Sequence, residues 1–149
     1  MSNDTLKAKG RVSIVLKDKD GNIKETREVD NLIVTTGLNY IASRMKDATA
    51  TAMTHMGLGS GTTAAAAGDT DLESILGSRE ALDSTTVTNN TITYVASFEA
   101  GDATGAVTEM GLFNALSSGT MLARVVFSVV NKQADDTMTV THTITISAS

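Results

Sequence analysis

Two histidines, His55 and His142, stand in a chain with many serines and aspartates. Such a set could supply a nucleophile, a base and an orienting acid. No Gly-x-Ser-x-Gly elbow joins a strand to a helix, so no local motif supports a hydrolase using a serine and His142. No ligand-spaced cluster accompanies either imidazole, and Cys is absent, so zinc and thiol chemistry lack their usual carriers. His142 falls within an alternating run of threonines, where a solvated or hydrogen-bonded imidazole is ordinary.

Three other constellations could hold an ion or a charge. Asp18-Lys19-Asp20-Gly21-Asn22 opens like a calcium loop, but its twelfth position is Val29 where the EF-hand needs Glu. Asp and Gly are also what a hairpin turn demands, and the run is expected to form one. Gly57-Leu58-Gly59-Ser60-Gly61-Thr62-Thr63 has the look of a phosphate cradle, yet lacks the P-loop lysine and the dinucleotide glycine spacing. It reads as a flexible strand exit. Glu109 and Arg124 are each the single charge in an otherwise apolar run. Desolvating a lone charge is expensive, so the two are expected to form a structural or intersubunit ion pair. Glu99 is the one nearby acid that could join Glu109 as a glycosidase pair, but no aromatic cleft accompanies it.

The elements that must position these residues are mostly strands. The chain has 149 residues, enough for one domain with a real core. Threonine is the commonest residue, and Thr, Val and Ile favour a pleated surface. Val12, Ile14 and Leu16 alternate before the Asp18–Asn22 turn, and the charged run 23–29 returns as an edge or solvated strand. Leu38, Ile41, Ala42 and Met45 form one helical stripe, expected to lie on the sheet, with Thr35 or Thr36 as its cap. Strands follow at 53–58, 79–88, 91–99, 106–114, 121–130 and 138–146, with Asn89-Asn90 as a tight turn. About eight strands and one short helix predict an antiparallel β-sandwich, jelly-roll-like, as a single domain over 1–149. Residues 1–9 are left as an N-terminal arm and 59–70 as a long Gly/Ala/Thr loop.

Composition narrows the partners. Net charge is −5, against the basic face a nucleic-acid binder needs. Aromatic residues are 3% of the chain, too few for base or sugar stacking, which weighs against a carbohydrate-binding β-sandwich module. No 18-residue apolar run predicts a membrane span, and no apolar segment follows Met1 to suggest a secretory signal. No cofactor motif is present, and a non-enzymatic role is expected.

Asn31-Leu32-Ile33-Val34-Thr35-Thr36-Gly37-Leu38, Met56-Gly57-Leu58-Gly59-Ser60-Gly61-Thr62 and Thr108-Glu109-Met110-Gly111-Leu112-Phe113 with Leu122-Ala123-Arg124 resemble small virion structural proteins of tailed bacteriophages, of the capsid cement (decoration) or tail-fibre type. The resemblance runs from about Val29 to Ile146. It implies a virion role: a cement protein on the outer surface of the major capsid protein, assembled in the host cytoplasm, as a homodimer or homotrimer. A tail or fibre component is the alternative. Met1, Ser2, Asn3, Asp4, Gly59, Ser60, Gly61, Thr62 and Thr63 lie in segments without periodic apolar residues to dock them on their own domain, and are the expected partner contacts.

Overall fold

The computed structural model describes residues 6–47 and 49–148. The chain is mainly antiparallel β. Strand β1 (Leu6–Lys17) and β2 (Ile23–Ile33) form the expected hairpin. Its turn consumes the supposed calcium ligand: Asp18 Oδ1 accepts the N–H groups of Asp20 and Asn22, each at 2.9 Å. Gly21 takes φ 83°, which side-chain-bearing residues avoid. Val12, Ile14 and Leu16 point into the core as their alternation requires.

Helix α1 (Thr35–Lys46) follows directly. Val34 occupies the cap position and no side chain caps the helix. Thr36 instead donates its hydroxyl to the Met121 carbonyl at 3.0 Å. The helix buries Gly37, because a Cβ there would lie 2.1 Å from the Leu122 carbonyl oxygen. One turn on, Tyr40 and Ile41 are half-buried against the main core. Of the predicted stripe only Ile41 is covered; Ala42 is exposed, and Leu38 and Met45 are 50% and 77% exposed.

The remaining strands are β3 (His55–Gly59), β4 (Glu80–Ala81), β5 (Ser84–Thr88), β6 (Thr91–Phe98), β7 (Gly105–Phe113), β8 (Met121–Lys132) and β9 (Thr137–Ala148). The single strand expected over 79–88 is broken at Leu82-Asp83. Residues Leu6–Lys9, expected as part of a free arm, are the start of β1 and pair with β9 from Ala148 to Thr145.

All nine strands join in one sheet, ordered β4-β3-β7-β8-β2-β1-β9-β6-β5. Two packed sheets were expected, but β2 continues past Val29 and pairs with β8 at Leu32↔Arg124 and Ile33↔Ala123, so the ladder is continuous there. The sheet curls into a half-barrel, and the Leu82-Asp83 link carries the chain from one edge to the other. Leu82 donates its N–H to Thr54 beside β3, and the next residue, Asp83, donates to Val95 of β6. Inside the curl lie Ile14, Leu16, Leu58, Phe98, Met110 and Met138, all fully buried in one cluster drawn from both halves. Threonines take the outer positions: Thr86, Thr93 and Thr143 follow one another across β5, β6 and β9 in register. A smaller cluster of Val34, Leu72, Phe113 and Met121 lies apart from the main core.

Candidate functional site

Sequence reasoning paired Glu109 with Arg124, and the structure brings them together. Adjacent antiparallel strands carry them, and Arg124 Nε donates to Glu109 Oε1 at 3.0 Å. A register shift between Val107 and Glu109 breaks the alternation of β7 there, as β-bulges do. The side chain thereby faces the long loop after β3. Glu109 is 0% and Arg124 2% exposed.

The carboxylate is saturated. Oε2 accepts the N–H groups of Gly61 and Ser74, each at 2.8 Å, and Oε1 also accepts Glu73 N–H at 2.9 Å. Four donors fill its four acceptor positions. The glycine-rich run that looks like a phosphate cradle does help to cradle an anion, and that anion is the protein's own Glu109. Gly59 and Gly61 are glycine for this reason: a Cβ on either would stand 2.5 or 2.4 Å from Oε2.

Polar bonds extend this brace through the loop. Arg124 Nη1 reaches Asp69 Oδ2 at 2.9 Å, and the same oxygen holds Ala66 N–H at 2.9 Å. Glu73 accepts the N–H groups of Thr62 and Thr63 and the Thr63 hydroxyl. The hydroxyl bond from Thr63 leads the causes that hold the Glu73 carboxyl below its ordinary range. Thr108 donates to the Gly61 carbonyl at 2.6 Å, and Thr35 N–H to the Ala67 carbonyl at 2.8 Å. The 59–70 segment was expected to lack anchors on its own domain. It has few apolar ones, but it is anchored through polar atoms and by Leu72 beyond it.

The predicted contact residues separate accordingly. Gly59 and Gly61 are buried, Ser60 is half-buried and donates to Ser74, and Thr62 and Thr63 are exposed. Met1, Ser2, Asn3 and Asp4 lie outside the described residues. Sequence reasoning missed Asp69, Glu73 and Arg79. Arg79 is buried with its guanidinium 3.5 Å above the Phe113 ring, and its Nη1 donates to the carbonyls of Ala115 and Ser118. An arginine at a loop end carries no local signal of such burial.

The other candidates resolve differently. His142 is 0% exposed and meets the Asn31 amide through Nε2, while its ring stacks on Tyr94 at 6.1 Å. The amide reaches it across Gly10, where a Cβ would lie 1.6 Å from Asn31 Oδ1. Burial pushes the His142 imidazole down to about 3. His55 is half-buried on β3, its Nδ1 beside the Thr54 hydroxyl at 2.8 Å. Glu109 has no open acceptor position with which to act as half of a carboxylate pair. Glu99 accepts Lys132 Nζ on its backbone carbonyl at 2.9 Å and the Thr137 hydroxyl on Oε2 at 3.3 Å. Burial lowers the amine of Lys132. Asp136, nearly buried, is paired with Lys24 at 2.7 Å.

Searches of protein-family models, of curated proteins and of solved structures found no match to this chain. Its class is defined by its own architecture: a curled antiparallel β-sheet with an internally braced loop.

Proposed function

We propose that this chain is a structural protein of a tailed-phage virion, a cement protein seated on the outer surface of the major capsid protein. The observation that carries the reading is the saturated Glu109 carboxylate. A buried ion pair is costly to assemble. Here it shapes one loop and leaves Glu109 no acceptor position for a substrate. The product is a preformed surface at Thr62, Thr63 and Ala64, all exposed. A preorganised loop loses less entropy on docking than a mobile one, which suits a permanent lattice contact. We read the two halves of the curled sheet as the layers of a jelly-roll-like sandwich, since one core cluster draws on both. The partners in this reading are the major capsid protein and further copies of the chain, as a dimer or trimer, with neither nucleic acid nor membrane.

The test is copy number in purified virions, measured on stained gels. A cement protein appears in hundreds of copies. A few copies per particle would place the chain in the tail or fibre and overturn the capsid reading. Co-sedimentation with empty expanded heads then checks the surface: Ala64→Arg should weaken binding without lowering the thermal midpoint.

A further inference from the structure

A groove of about 420 Å³ lies between the exposed side of α1 and strands β5, β6 and β9. Ile92, Ile144, Ile146, Leu122 and Met53 supply apolar wall. Met45 and Val87 also line the groove, 77% and 66% exposed. Polar groups from two elements converge on it. Tyr40 and Arg44 are one turn apart on α1 and share a face, and Tyr94 lines the groove from β6. Arg44 Nη1 donates to the Ala50 carbonyl, which fixes the guanidinium at the helix end. Among the described residues, Arg44 is the one charged group of the lining, and no carboxylate lines it.

A groove of this volume, mostly apolar with a few convergent polar groups, has the make-up of a small-ligand site. The sign of its charge selects the ligand. A guanidinium and two phenol donors, with no carboxylate in the lining, favour an anionic head over a cationic or neutral one. We propose that the groove binds a small amphipathic carboxylate, with its aliphatic chain along the isoleucines and its head on Arg44 and the tyrosine hydroxyls. Tyr94 suits the donor role, because a phenol hydroxyl holds its proton at neutral pH and can donate it. The inference stands apart from the virion reading.

Calorimetric titration of the full chain with dodecanoate, below its micelle threshold, tests this against dodecanol and dodecyltrimethylammonium. Dodecanoate should bind one to one, at least tenfold more tightly than either analogue. Arg44→Gln should bring dodecanoate down to the level of the alcohol. Tyr94→Phe, which keeps the ring, should cost severalfold without involving the Arg44 bond to Ala50. Ala52 is exposed on the groove lining, so Ala52→Trp fills the groove without entering the core and should abolish binding. Thermal melts confirm that each variant is folded. Equal binding of acid and alcohol, no binding of dodecanoate, or unchanged binding in Ala52→Trp would overturn the proposal. So would a sedimenting dimer that Met45→Glu dissociates, because a second copy would then cover the groove.

Discussion

The Glu109 carboxylate and the Gly61 backbone define each other: Oε2 accepts the Gly61 N–H at 2.8 Å, and a Cβ on Gly61 would lie 2.4 Å from that same oxygen. A strand acid and a loop glycine thus act as one unit.

Removing the acid should cost more than removing the base. Glu109→Leu leaves Arg124 with Asp69 as its one remaining carboxylate and strands three loop N–H groups, and breaking a buried pair costs about 3–5 kcal/mol. Arg124→Leu leaves Glu109 with three N–H donors and should cost less. Pairing alone would suggest that the apolar double variant is nearly harmless. With the loop donors counted, it should remain about 2 kcal/mol or more below the parent, since unsatisfied donors cost about 1–3 kcal/mol each. Urea unfolding of the three variants measures this, and a double variant as stable as the parent refutes it.

Glycines in the same loop should respond oppositely. Gly61→Ala meets Glu109 Oε2 at 2.4 Å and Glu73 Cβ at 2.5 Å, so it should destabilise by about 1–3 kcal/mol. Gly68→Ala meets nothing within 4 Å, and Gly68 does not have positive φ. It should stabilise by about 0.4–1 kcal/mol through the unfolded chain. Thermal midpoints moving in the same direction would refute the contrast.

His142 makes stability depend on pH. Its folded value of about 3 lies below the ordinary 6.5, with burial as the cause. The unfolded chain therefore binds a proton that the folded one refuses. The contribution is complete above pH 6.5 and is lost as pH falls towards 3. The slope approaches about 1.4 kcal/mol per pH unit within that window. Unfolding free energies at pH 7 and 5 should differ by up to about 2 kcal/mol more in the parent than in His142→Gln. Identical pH slopes in the two proteins would show that the imidazole is not desolvated.

Gly10 should couple to Asn31. Gly10→Ala places a methyl where the Asn31 amide passes to His142. The amide must withdraw, so Gly10→Ala should destabilise by about 1–3 kcal/mol. Added to Asn31→Ala it should cost much less than alone, because the clash is already gone. A double-mutant cycle reads this coupling directly, and strict additivity argues against it.

Much of this molecule was open to reading along the chain. The Asp18–Asn22 turn, the Asn89 turn with φ 53°, the alternation of Val12, Ile14 and Leu16, and β9 all follow from local rules of period two and turn chemistry. Glu109 and Arg124 were identifiable as a pair because an isolated charge in an apolar strand must find a partner. These inferences succeed because their causes lie within a few residues, or within one residue type's cost of burial.

What only the tertiary structure decided depends on close approach between distant segments. One curled sheet arises because Leu32 and Ile33 meet β8, a contact that no local pattern encodes. Helix α1 seats Gly37 against the Leu122 carbonyl and Ile41 on the core, and leaves Leu38, Ala42 and Met45 of its stripe exposed. The loop after β3 reads as flexible because its residues are small and polar. It is ordered because Glu109, distant in sequence, collects its N–H groups. Apolar periodicity reports where a chain turns its greasy face. It carries no record of a polar backbone that is buried against a charge supplied from elsewhere.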